Sequence, residues 1–438
     1  MTQPRVPERW IVLLAGVGIM MCIGTAYSWS LYTRPLMALF GWSNIQVSSA
    51  FAVMVFFIGV GAIGGGYLQD HFGPRNVGLI GVVMWGLGNA LVGVGITRFG
   101  LPWLYACYGL IAGLGAGMAY LVPGATVTKW FPEERGLANG IILFGYGTGS
   151  IIFNGVLTGL PAFARMADRA NSFIAGQLGG TITAARLVDP QGLDALRGAF
   201  VWPGIVFIIV GVVCSLVLHI PPRTFSVPKA AEKLAHEASF RPTEMLKTRS
   251  FYWLWTIFLV DAFAGLAILS NVVPIYSELT GANATVAGSV YGWLSIFNGL
   301  GRLVWAWISD FLGRSGSLAI IFLLEGASIA LLGQLHSQLS VSLALTVMLL
   351  TFAGVFGIMP AMMADYFGTA YLGENYGLVI SAVCVAGLLG PTLVGLLEDV
   401  SHTLSGALLP IAILLIVSSA IPIVARKPAR PPATVSPN

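Results

Sequence analysis

Gly66-Tyr67-Leu68-Gln69-Asp70-His71-Phe72-Gly73-Pro74-Arg75 and Ala306-Trp307-Ile308-Ser309-Asp310-Phe311-Leu312-Gly313-Arg314 decide how this chain is read. Each copy places an acid, a glycine three residues later and then an arginine at the end of a long apolar run. The copies lie 240 residues apart. A signature repeated at that offset marks a chain built from two related halves. The preceding apolar runs, 46–69 and 284–308, are each long enough to cross a bilayer, which takes roughly 20 residues.

Outward from the two copies, similar runs cover 10–36, 77–97, 101–128, 136–160 and 199–220 in the first half. They cover 251–277, 317–335, 340–364, 375–396 and 404–425 in the second. Lipid offers the backbone no hydrogen-bond partners, and the runs lack the alternation of barrel strands, so they are read as helices. Only 9% of the 438 residues are charged, against about 25% in a soluble domain. The mean hydropathy is +0.84. The expected fold is an all-α membrane protein of twelve transmembrane helices in two six-helix halves. Residues 1–220 and 251–438 would form the bundles, with a basic cytoplasmic linker over 221–250. With both termini cytoplasmic, fifteen of the 22 Lys and Arg fall inside and five outside: Arg98, Arg165, Arg169, Arg186 and Arg197. The first run is too long for a signal-peptide core and is read as a retained helix. Segment 161–198 lies outside and reads as a short surface helix.

Several chemistries find no footing. Cys22, Cys107, Cys214 and Cys384 sit apart in apolar runs without metal spacing. The histidines lie in loops or at helix ends. No basic patch with interleaved aromatics points to nucleic acid. The glycine-rich strings are not phosphate loops, because no strand precedes them. No enzyme activity, cofactor or metal is expected.

One charge stands out. Arg302 lies inside the eighth run, where an ionised side chain costs at least about 2.5–3.5 kcal/mol. Asn298 is four residues earlier on the same face, and Gly299 and Gly301 add no bulk. A guanidinium fork matches a carboxylate, so Arg302 and Asn298 make a cradle for a small carboxylate anion. The alternatives are pairing with Asp310 or snorkelling to the membrane edge. Asp261, in the seventh run, is the candidate for proton coupling, with an arginine as its expected counter-charge; a neutral, hydrogen-bonded acid is the alternative. Glu325, in the ninth run, is read as structural.

The segment Gly66–Arg75 resembles the loop 2–3 motif of the major facilitator superfamily. In both copies the acid can cap and pair across helix ends while the glycine turns the loop, which makes Asp70, Arg75, Asp310 and Arg314 candidate gate residues. Further segments are Tyr27-Ser28-Trp29-Ser30-Leu31-Tyr32, Trp130-Phe131-Pro132 with Arg135-Gly136-Leu137-Ala138, Glu244-Met245-Leu246-Lys247-Thr248, Asp365-Tyr366-Phe367-Gly368 and Asn375-Tyr376-Gly377. Together they resemble the oxalate/formate antiporter and monocarboxylate transporter group. That resemblance implies a substrate-binding arginine at Arg302, aromatic cavity walls at Tyr27, Tyr120 and Tyr146, and an apolar wall at Phe352 and Phe356. Dicarboxylate-handling members carry a lysine where this chain has Val383, and no Lys or Arg occurs between Arg314 and Arg426. One buried cation neutralises a monoanion but not a dianion. The expectation is a proton-coupled carrier of a small monocarboxylate such as lactate or pyruvate, in a bacterial inner membrane. Its partners would be a carboxylate anion, a proton and the bilayer. A carboxylate exchanger is the first rival. A drug/proton antiporter is the second, though the fifth run lacks the proline of the Gly-Pro signature such proteins tend to carry.

Overall fold

The computed structural model describes residues 6–177, 186–221, 239–269, 272–282, 284–401, 406 and 408–429. Most of the expected linker, 222–238, lies outside them, as do 178–185 of the long outer segment.

The first span is not one helix. α1 (Val6–Gly24) passes into a 3-10 turn over Thr25–Trp29 and then α2 (Ser30–Phe40). α3 (Asn44–Phe72) starts on a capping box in which Ser43 and Gln46 bond each other's backbone N–H groups. α4 (Pro74–Leu104) carries the third span; its non-helical Gly100 (φ 65°, ψ −145°) marks the turn into the fourth. That fourth span continues through a π-helical stretch, Tyr105–Ala112, into α5 (Gly113–Trp130). α6 (Arg135–Gly159) and α8 (Pro190–Val217) are the fifth and sixth spans. Between them α7 (Pro161–Gln177) is the surface helix expected in segment 161–198.

The second half opens with the short α9 (Pro242–Met245). Its seventh span is split into α10 (Arg249–Leu269) and α11 (Val272–Thr280). α12 (Ala284–Leu312), α13 (Arg314–Leu332), α14 (Gln338–Phe367) and α15 (Leu372–Ser401) follow. α16 (Leu408–Ser418) and α17 (Ile421–Val424) make the twelfth span.

The buried side chains form two clusters. One draws on residues 12–218 and the other almost wholly on 240–425. The two halves meet chiefly where α3 packs on α15 and α6 on α12. At one end of that seam stand both copies of the repeated signature, here termed the motif end. Gly73 and Gly313 adopt φ of 81° and 80°, a backbone that suits glycine, and so turn the chain sharply between consecutive spans.

Candidate functional site

The repeated acids do the same job in each half. The Asp310 carboxylate, at the end of α12, accepts the backbone N–H groups of Gly136 (3.2 Å) and Leu137 (3.0 Å) in the first turn of α6. The Asp70 carboxylate, at the end of α3, accepts the Glu374 N–H (2.9 Å) in the first turn of α15. Each half thus caps a helix of the other, where the free N–H groups and the helix dipole favour a negative charge. Around Asp310, Arg314 pairs with Asp310 (2.6 Å) and Asp365 (3.2 Å), and Arg135 reaches Asp365 from the opposite half (3.0 Å). Lys129 lies 3.9 Å from Asp70.

Arg75 does not join this cluster, contrary to the expectation from the repeat; it is exposed. Arg314 directly follows Gly313 as the first residue of α13. In the first copy Pro74 holds that position, so Arg75 falls one residue later, about 100° further round its helix. Lys129 of α5 stands beside Asp70 instead. The sequence alone does not mark Arg135, Asp365 and Lys129 as gate residues, although the first two lie inside the motifs Arg135-Gly136-Leu137-Ala138 and Asp365-Tyr366-Phe367-Gly368. Only the tertiary fold shows that they meet.

Deeper in the seam lies Arg302, ten residues from the motif end of α12, roughly 15 Å at 1.5 Å per residue. It is 1% exposed, which rules out snorkelling, and it is absent from the ion pairs of the described residues. Its Nη2 donates to the Tyr27 Oη of the other half (3.2 Å). The guanidinium sits 5.0 Å from the Tyr146 ring centre and 5.3 Å from that of Phe356, which is cation–π range. Nε and Nη1 are buried with no hydrogen-bond partner among the described residues.

The remaining expected wall residues gather here. Tyr27 and Tyr120 both meet the Tyr146 ring edge-on, at 5.1 and 5.6 Å. Phe352 and Phe356 form an edge-to-face pair at 5.4 Å. Asn298 is buried one turn from Arg302. The Tyr120 and Tyr376 hydroxyls are buried facing each other, and Arg302 acts on both. In the sequence Tyr376 stands out only as part of the segment Asn375-Tyr376-Gly377. The 3-10 turn explains how Tyr27 arrives, because it interrupts the first span at this level. Close approach does the rest: a Cβ on Gly147 would lie 2.7 Å from Gly299 Cα, so α6 and α12 touch backbone to backbone beside Arg302. Tyr27 is 41% exposed, so the cluster is accessible on its side. The arrangement offers the guanidinium Nε and Nη1 and two phenols to a small anion.

Asp261 is elsewhere. It is 0% exposed and its carboxyl faces that of Glu325, also 0% exposed, rather than an arginine. Phe258, three residues before Asp261, meets Phe356 edge-on at 4.8 Å, and Gly265, four residues after it, abuts the Phe352 ring. The Phe352–Phe356 layer therefore stands between the acid and Arg302. A run of sequence shows which spans hold charges, but not which charges the packing brings together.

The family model for the Major Facilitator Superfamily matches residues 13–391 and 260–438. The chain is 30% identical over 393 residues to the oxalate:formate antiporter of Oxalobacter formigenes, covering 87% of this chain and 83% of that protein. It is 26% identical over 390 residues to monocarboxylate transporter 14 of Mus musculus, covering 77% and 74%. The fold superposes on the crystal structure of the major facilitator transporter FucP in the outward conformation with a TM-score of 0.70. That match has 16% identity and covers 96% of this chain and 100% of that one. The chain belongs to the major facilitator superfamily, as a multi-pass membrane transporter related to oxalate:formate antiporters and monocarboxylate transporters.

Proposed function

We propose that the protein is a secondary active transporter of a small monocarboxylate, lactate-like or pyruvate-like, moved with a proton by alternating access across a bacterial cytoplasmic membrane. In this reading the motif end and both termini are cytoplasmic, and the bundles 1–220 and 251–438 rock about the site. The observation that carries it is the buried Arg302, with its Nε and Nη1 unpartnered and no acid paired to it among the described residues. A desolvated cation without a counter-charge is unfavourable, and a carboxylate anion entering beside Tyr27 supplies one. Asn298, Tyr120 and Tyr146 complete the cradle, and Phe352 and Phe356 face the carbon tail. Asp70, Asp310, Arg314, Arg135 and Asp365 close the cytoplasmic side. With a valine at position 383, a single cation serves the site, which favours monoanions over oxalate.

The test is uptake of labelled lactate into proteoliposomes, with and without an inward proton gradient, beside vesicles preloaded with oxalate. A gradient-driven rise is expected. A charge-assisted hydrogen bond contributes about 1.5–3 kcal/mol, so Arg302→Lys, which loses the fork, should raise KM roughly tenfold or more. Arg302→Ala should abolish saturable uptake, and unaltered uptake would remove Arg302 from the site. The second reading is a carboxylate exchanger, favoured by the likeness to the Oxalobacter antiporter. Uptake that ignores the proton gradient yet requires an internal anion selects it.

A further inference from the structure

The Asp261–Glu325 pair has no part in the anion site. Asp261 lies twelve residues from the motif end of α10 and Glu325 eleven from that of α13. At 1.5 Å per residue both stand roughly 17 Å in, level with Arg302. α14 and α16 pack against both helices. The four carboxyl oxygens are fully buried, and no donor from another described residue reaches them. Among the described residues, the only titratable group acting on either acid is the other acid; α12, α14, α15 and α16 present none to them. Two carboxylates facing each other in an apolar core, with no cation, cannot both be ionised. The pair therefore holds at least one proton, and its accessible states are one shared proton with a single negative charge, or two protons and none.

We propose that Asp261 and Glu325 together form the proton-binding site of the transporter, with Glu325 as much a part of it as Asp261. This rests on the proton-coupled reading above and names the site that reading needs. The charge balance follows from the two centres. In the empty carrier the positive Arg302 is offset by the single negative charge of the acid pair across the Phe352–Phe356 layer. When a monocarboxylate binds Arg302, a lone pair of the remaining carboxylate takes up one proton, forming an O–H bond. The interior is again neutral. Anion alone leaves one surplus negative charge in low dielectric, and proton alone one surplus positive charge; both disfavour passage through the closed interior. Only the empty and the doubly loaded forms cross freely, which makes one proton per anion and electroneutral transport.

The experiment compares wild type, Asp261→Asn and Glu325→Gln in proteoliposomes, measuring proton-driven lactate accumulation and lactate–lactate exchange in each. In either variant the surviving lone acid stays protonated, so the empty carrier retains Arg302's charge uncompensated and returns poorly. The ratio of proton-driven uptake to exchange should fall about fivefold to 150-fold in both variants, and wild-type uptake should be insensitive to membrane potential. A Glu325→Gln protein with the wild-type ratio overturns the proposal. Infrared difference spectra of the wild type provide a readout that needs no folded variant. Added lactate should raise the C=O band of a protonated carboxyl, and an unchanged band overturns the proposal. A wild-type carrier that exchanges without any response to the proton gradient defeats the coupling reading itself, an outcome distinct from a coupled carrier whose coupling survives Glu325→Gln.

Discussion

At the scale of single residues, a substitution that changes charge inside a membrane span has to be matched by a partner. Arg302 shows one form of the rule and Val383 the other. Val383 is half-buried eleven residues into α15, at about the same depth as Arg302. A lysine there would bring a second cation to the level of the site at an insertion cost of about 2.5–3.5 kcal/mol. A monoanion would then leave one positive charge unmatched within the anion site itself, while a dianion would match both there. Val383→Lys is expected to weaken competition by lactate and strengthen competition by oxalate, each by about tenfold, the equivalent of 1.4 kcal/mol. Competition assays on one labelled substrate check it, and an unchanged order of inhibitors removes Val383 as the selectivity position. Arg302 could be read from sequence because a charge inside an apolar run announces itself locally. The Asp261–Glu325 pairing could not, because 64 residues separate the two acids and only the packing of α10 and α13 around common neighbours brings them together.

At the scale of elements, the runs located all twelve spans, yet apolar length says nothing about how regular a helix is inside. The 3-10 turn at Thr25–Trp29, the π-helical Tyr105–Ala112 and the division of the seventh span all fall within stretches that read as uniform. The first of these places Tyr27 against Arg302. The outer helix α7 is a further case, for the sequence suggested it but not what ties it down. Phe163, Met166 and Ala170 bury one face against the first half, and Arg169 pairs with Asp189 (3.0 Å), the N-cap of α8. The Gly192 N–H foremost, with Arg169 second, holds the Asp189 carboxyl below the ordinary carboxylate range. A depressed folded value gives stability that is fully present above the unfolded value, about 3.9, and is lost as pH falls through the folded one. Asp189→Ala should lower stability by about 1 kcal/mol at neutral pH, as for a lost helix cap. It should also flatten the acid limb of a melting-temperature profile below about pH 4. A variant whose profile parallels the wild type would show that this contact does not hold α7 to α8.

At the scale of the whole molecule, the two halves are held at the motif end by groups that must part if the opposite side is ever to close. Asp70 caps α15 and Asp310 caps α6, so each bond joins one half to the other. Under the proposed alternating access, losing either acid would weaken the same closed face from its own side. A helix-capping acid contributes about 0.5–2 kcal/mol, and at roughly tenfold per 1.4 kcal/mol the loss of both shifts the balance between closed and open forms by one to three orders of magnitude. Spin labels on Phe72→Cys and Ala370→Cys, both exposed beside the seam, report the separation of α3 from α15 at this end. The unsubstituted pair should give one short distance. Asp70→Ala with Asp310→Ala should add a longer one and reduce the short population, and each single variant should fall between. If the double variant kept the short distance alone, the backbone caps would be incidental. The closure would then rest on the remaining cross-seam pair, Arg135 with Asp365, whose removal by Asp365→Ala would be the decisive comparison.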